Sequence, residues 1–509
     1  MAILKQVHFG QSGQEKLISG INTLADAVKS TLGPKGRTVL IESENHTHGV
    51  TISKDGVTVA RSITLFDPIE NMAVNVAREA SEKTATLVGD GTTTSLVLTQ
   101  AIINEASSHL TAGVDTATLT RDIQAISNKV LEYLSATAVP VTNDTLVNVA
   151  TISANGDAEI GELIAEAYTK VSYVTVADSK TEETYAEIIE GVKVDRPVGS
   201  RFFITDQKKG ECVLQDPYVL VCDQKIENLS SLEHVLAPIV QNGKSLLIIS
   251  EMGANALNTL NVNAMKGTIK VCQIMPPDFG YRRKELMEDI AAMVGARLVS
   301  EDTGDDLSLV GLDWLGKASK VISGQEQTII VGGEGEESVV KARIEALEGS
   351  NDTFDKQRLA NMTGGIGVIY VGADSEIEQK EKKDRVDDAV CAVRAAMDEG
   401  VLPGGGVALH NASTALSEGK SVAHLIMSSA LKAPMRQILK NAGDDWGYVE
   451  GQMDTPGLGF DVRGQKYGDM IEMGVTDPAK VTRIALQNAV SVATTIMGTS
   501  VIVSNVRDL

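Results

Sequence analysis

Gly89-Asp90-Gly91-Thr92-Thr93-Thr94 interrupts helical periodicity that runs from about Asn71 and resumes after it. Two glycines let the backbone come close to an anion, and three threonine amides and hydroxyls could open a helix N-terminus toward phosphate. Asp90 would add the hard oxygen ligand that Mg²⁺ prefers. The same six residues also make an ordinary turn with an Asp/Thr cap. Both readings stand on the local sequence alone.

Working outward, Leu17, Ile18, Ile21, Leu24, Ala25 and Val28 follow helical spacing across Gln14–Ser30, and Gly33-Pro34 ends that run. Short strand-like runs follow at Thr38–Glu42 and Val50–Ser53, then Val57–Ile63 after a Lys54-Asp55-Gly56 turn. From about 170 to 370 the pattern alternates. Strand candidates Val174–Ala177, Tyr218–Cys222, Ser245–Ile249 and Ile269–Ile274 are interleaved with helix-like Ser230–Val240, Ala254–Met265 and Arg283–Val294. That alternation predicts an α/β layered domain. From Val386 onward the chain reads as helical again, so two helical ends flank an α/β insert.

The bulk composition limits the partners. Across 509 residues, 46 basic side chains face 68 acidic ones, a formal charge of −22. Nucleic acid binding needs a net basic footprint, so it is not expected. No apolar run approaches the roughly 20 residues of a membrane span, and MAILKQVHFG has no apolar signal core. Cys212, Cys222, Cys272 and Cys391 form no CxxC pair. The expectation is a cytoplasmic protein with reduced thiols.

No GxxxxGK[ST], HExxH or EF-hand pattern occurs, so any nucleotide is held by another route. Asp388 falls off the apolar stripe Val386, Ala389, Val390, Val393 and Met397, beside Cys391 and Ala395. Small neighbours there would let a second surface approach a carboxylate able to orient water. A solvated helix charge is the alternative. Gly404-Gly405-Gly406 reads as a flexible connector that a ligand could approach. Asp477-Pro478 reads as an N-cap and first helical residue.

The order and spacing of these segments carry more than each does alone. Thr31-Leu32-Gly33-Pro34-Lys35-Gly36-Arg37, Thr51-Ile52-Ser53-Lys54-Asp55-Gly56-Val57 and the Gly89–Thr94 stretch closely resemble the N-terminal signature of GroEL-type (group I) chaperonins. Thr151-Ile152-Ser153-Ala154-Asn155, Arg385-Val386-Asp387-Asp388-Ala389, Gly404–Leu409, Tyr467–Ile471 and Asp477–Arg483 continue it. The resemblance covers almost the whole chain.

It implies a multi-domain α/β chaperonin fold. A mainly helical equatorial ATPase domain would take 1–136 and 399–509, an intermediate hinge domain 137–190 and 367–398, and an apical client-binding domain 191–366. It further implies an ATP-dependent chaperone that forms homo-oligomeric rings of seven subunits, binds unfolded or partly folded proteins and can engage a co-chaperonin lid. Carried over by residue, Asp90 would bind Mg²⁺, and Gly33, Gly91, Thr92, Thr93 and Thr94 would hold phosphates. Leu32 and Pro34 would flank that contact, while Thr31 and Lys54 would border a K⁺ site. Asp388, helped by Asp55, would activate the attacking water. Gly405 and Asp477 would meet the ribose, and Asp461 and Val462 the base.

Departures fall mainly on the client surface. Phe202, Phe203, Leu236, Leu257 and Val262 keep its apolar character, whereas Val198 replaces an aromatic and Glu233 and Asn261 replace apolar residues. Phe460-Asp461-Val462-Arg463 stands where the family has Tyr-Asn-Ala-Ala.

Overall fold

The structure is a computed structural model that describes residues 5–42, 50–111, 113–171, 173–207, 209–350, 352–416, 419–453 and 455–505. The chain divides into two compact units, Met1–Ala165 with Ser375–Leu509, and Glu166–Asp374. The two helical ends of the sequence therefore fold together.

Their shared core is a helix stack. Helix Ala479–Met497 is buried over most of its surface, with Val481, Ile484, Ala485, Leu486, Ala489, Val490 and Ala493 inside and only Gln487, Ser491 and Thr495 as an exposed stripe. Such a helix belongs in an interior. It packs against helices Thr92–Thr111, Pro68–Val88 and Thr116–Thr137. Small Ala, Val and Thr side chains let these helices approach closely, which is why so few aromatics suffice. Leu24, Ile69, Leu98, Ile102, Ile123 and Leu134 complete the core.

Strands Val39–Glu42 and Val50–Ser53 pair antiparallel, as their alternation suggests. The third expected strand does not form. Gly56–Ser62 is a helix whose N-cap Asp55 accepts hydrogen bonds from the Val57 and Thr58 amides at 3.0 and 2.9 Å. The β-branched residues misled there: the cap and the burial of Val57, Val59 and Ala60 outweigh their strand preference.

The other unit is built on one nine-stranded sheet. Across it run Val174–Asp178, Gly365–Val371, Tyr185–Val194, Thr328–Gly333, Gly316–Ser323, Tyr218–Val221, Ser245–Ile249 and Lys270–Ile274, with Cys212–Gln215 paired beside Gly316–Ser323. The last three strands are mutually parallel. Ser245–Ile249 is buried at every position, as expected of a parallel strand covered on both faces. Helices Glu233–Gln241, Ala254–Met265 and Gly280–Val294 supply cover. Among the described residues no helix is long and apolar enough to cross a membrane.

Candidate functional site

Gly89 ends helix Pro68–Val88 in the left-handed conformation, at φ 74°. Asp90 follows, and Gly91 at φ 81° turns the chain into helix Thr92–Thr111. That geometry leaves the Thr92, Thr93 and Thr94 amides at a helix N-terminus, without intrahelical acceptors. The Asp90 Oδ1 accepts the Gly91 amide at 2.5 Å. The local turn and the open helix N-terminus are thus one object.

Three further segments converge on it. A Cβ at Gly56 would stand 2.2 Å from the Thr93 hydroxyl, so the missing side chain lets the Asp55 cap press against that N-terminus. A Cβ at Gly89 would lie 2.3 Å from that of Cys391, one turn beyond Asp388 on helix Glu376–Glu399. The bidentate pair Arg483–Glu399 (2.9 and 2.5 Å) and Lys480–Asp398 (2.8 Å) fix the end of that helix to Ala479–Met497. Val386, Ala389, Val390 and Val393 are buried as the stripe predicts, but Met397 is exposed and Ala392 and Ala396 take inner positions.

Asp477 is not the helix cap expected from Asp-Pro. It lies on the short strand Thr476–Pro478, opposite Leu402 of Val401–Pro403, while Pro478 occupies the cap position without a side-chain bond. The Gly405 and Gly406 amides instead bond to the Asp477 carboxylate. Gly404-Gly405-Gly406 is accordingly an ordered turn rather than a loose connector, with φ of 66° and 81° at its last two residues.

Asp55, Asp90, Asp388 and Asp477 therefore belong to one cluster. Burial, then the neighbouring Asp90 and Asp55 carboxylates and those of Asp387 and Asp384, holds Asp388 well above the usual carboxylate range. Burial raises Asp90, opposed by the Gly91 amide and reinforced by Asp55. Asp477 is pushed up to about 7 by burial and by Asp90, against the pull of the two glycine amides. Clustered carboxylates of this kind favour a cation. Among the described residues no three His, Cys, Asp or Glu side chains converge to cage a metal. The arrangement suits Mg²⁺ held by one or two carboxylates and completed by substrate phosphates and water.

A raised carboxyl binds its proton more tightly folded than unfolded, so its contribution to stability is full below the unfolded value of 3.8 and is lost as pH rises through about 7. Asp477→Asn is expected to raise the melting temperature at pH 8 by a few degrees and to change it little at pH 4. Calorimetry of the metal-free protein at both pH values checks this.

The remaining assigned residues fall into place unevenly. Gly33, at φ 83°, sits over Ile438, and Thr31 spends its hydroxyl on the Val28 carbonyl at 2.8 Å. Leu32 is half-buried, and Pro34 and Lys54 are exposed. Asn441 donates to the Lys29 and Leu32 carbonyls, at 2.9 Å each, and so holds this turn. Sequence reading passed over Asn441; the only hint is a poor helix former just before Gly443. Asp461 caps its own hairpin turn by accepting from the Arg463 and Gly464 amides. Val462 is buried with Val407 and Met470.

In the other unit, Phe202 and Val262 are exposed and Leu236 and Leu257 are half-buried. Phe203 is a correction: at 2% exposure it is a core residue, not a surface one. The two adjacent rings leave a single turn, Arg201–Phe203, in different directions, Phe203 into the core and Phe202 toward the surface.

The chain matches the TCP-1/cpn60 chaperonin family over residues 24–507. Two crystal structures of the chaperonin gp146 from bacteriophage EL 2 (Pseudomonas aeruginosa), both in the presence of ATP-BeFx, share its fold. Crystal form II gives a TM-score of 0.65 at 22% identity and form I gives 0.64 at 23%, each covering 99% of both chains. With a glycine-and-threonine cradle, a carboxylate cluster and a family match spanning nearly every residue, this chain belongs to the TCP-1/cpn60 chaperonin family.

Proposed function

We propose that the chain is an ATP-hydrolysing, ring-forming folding chaperone. The observation that carries this reading is the meeting of Asp55, Asp90 and Asp388 at the N-terminus of helix Thr92–Thr111. Thr92, Thr93, Thr94, Gly91 and Gly33 hold the phosphates of ATP. Asp90 would be the protein ligand of Mg²⁺, which would supply positive charge to offset that of the nucleotide phosphates. Thr31 and Lys54 border a K⁺ site. Gly405 and Asp477 meet the ribose, with Asp461 and Val462 toward the base.

Asp388 takes the proton of the attacking water, and Asp55 orients it. Catalysis is then positioning plus electrostatics around an in-line attack. In this reading the chain has three domains, and helix Glu376–Glu399 belongs to the hinge domain of 137–190 and 367–398. The arrangement with Asp388 at the site is the closed one in this reading, and opening of the hinge withdraws Asp388, which couples hydrolysis to domain rotation. Phosphate release with and without Mg²⁺ tests the site: steady, Mg²⁺-dependent release is expected, and none in either condition sinks the proposal.

Assembly into a seven-subunit ring in the cytoplasm belongs to this reading, and contact between subunits draws support from the exposed apolar face of two small sheets. Leu40 pairs with Ile52, and both are about 70% exposed. Val7 pairs with Val503 and Phe9 with Val501 on the sheet of Lys5–Phe9 and Val501–Asn505, all four exposed. Apolar cross-strand pairs on open edges call for a partner strand. Leu40→Asp with Ile52→Asp is expected to shift the mass seen by light scattering from a ring to single subunits.

A second reading, a ring scaffold without productive folding, is favoured by two observations. Glu233 is exposed at the start of helix Glu233–Gln241, inside the surface that would grip clients and a co-chaperonin, and Phe203 is withdrawn from that surface. A carboxylate there weakens apolar capture.

A further inference from the structure

Arg463 makes a bond that the cluster itself does not require. Its Nη2 donates to the Asn155 carbonyl at 2.9 Å, joining segments 308 positions apart. The seat is shaped for it. Asn155 is at φ 58° and Gly156 at φ 86°, and a Cβ on Gly156 would stand 1.8 Å from the Arg463 Nη1 and 2.1 Å from Nη2. Only glycine leaves room for the guanidinium.

The two joined segments flank Asp477. On one side, Val462 packs with Val407 and Met470, and Val407 directly follows the glycine turn whose amides hold Asp477. The Asp461 carboxylate fixes the Arg463 backbone at 2.9 Å and so aims its side chain. On the other side, Asn155-Gly156 follow helix Asn143–Ser153. That helix packs against strand Thr476–Pro478, and its Asn148 lies against Gly474.

We propose that Arg463 is a positioning residue that straps these two walls together and slows escape of the bound nucleotide past Asp477. The inference rests on the nucleotide reading of the site. A single exposed charge-assisted bond is the strap, so its loss acts on dwell time more than on the chemistry at Asp388. Nucleotide leaves through the gap that the guanidinium spans, and exchange becomes faster when the span is cut.

The test is the release rate of a fluorescent ADP analogue, followed by stopped flow on the full chain, beside single-turnover ATP cleavage. Arg463→Ala removes the strap, and Gly156→Ala blocks its seat from the opposite wall. Both are expected to speed release by about three- to tenfold, raising the ratio of release rate to cleavage rate. Arg463→Lys should restore part of the dwell time. Release unchanged in both variants, with binding intact in the wild type, overturns the strap alone. No binding of the analogue by the wild type overturns the nucleotide reading and the strap with it.

Discussion

Asp388→Ala is expected to bind ATP and to hydrolyse it at least about a hundredfold more slowly than the wild type, the usual scale of a positioned general base. Asp388 is pushed toward the protonated state by burial and by the neighbouring Asp90 and Asp55 carboxylates. It also stands on a helix that contributes no amide to the phosphate cradle. Removing it therefore leaves the Thr92–Thr94 amides and the Asp90 carboxylate in place. The same substitution relieves like-charge crowding, so the metal-free variant should melt no lower than the wild type. Nucleotide binding by a fluorescent analogue, phosphate release and a melting curve separate the outcomes. Equal loss of binding and turnover would instead make Asp388 a structural residue.

Asp289→Ala is expected to destabilise the 166–374 unit by about 3 kcal/mol, the lower end for breaking a buried ion pair. Asp289 accepts from Arg358 Nε at 2.7 Å and Nη2 at 2.9 Å, and Arg343 donates to the same carboxylate. Asp289 and Arg358 side chains are each only 7% exposed. Glu285 also meets Arg358, at 2.8 Å, which keeps the loss from being larger. The network ties helix Gly280–Val294 to helices Glu337–Leu347 and Thr353–Thr363. Trp314 lies in this unit, with the Arg297 guanidinium 3.7 Å from its ring centre. Trp446, the other tryptophan, lies in the helical unit. Urea unfolding followed by Trp314 fluorescence in a Trp446→Phe background reads the effect directly. An unchanged midpoint would show that the arginines find equal partners elsewhere.

Much of the helical unit was legible because its apolar spacing is unambiguous; in the other unit Ser245–Ile249 and Ala254–Met265 matched to the residue. The turn into helix Thr92–Thr111 was legible because a left-handed turn before a helix demands glycine at two places. Its partners were not. Asp55, Asp388 and Asp477 each have a complete local explanation as a cap or a solvated charge. Gly56 and Gly89 permit close approach through their missing side chains, and the Gly405 and Gly406 amides hold Asp477. Closeness across hundreds of residues leaves no local trace, so only the family order pointed to it. Misreadings had the same root. Val57–Ile63 looked extended until the Asp55 cap and the core decided otherwise, and Phe203 looked like its neighbour Phe202 until the turn buried it.

The most direct test of an ATP-driven folding role is recovery of a chemically denatured enzyme in the presence of this protein. Recovery that requires ATP and vanishes with Asp388→Ala is the expected result. Steady ATP hydrolysis with no recovery, with or without a co-chaperonin, would contradict it.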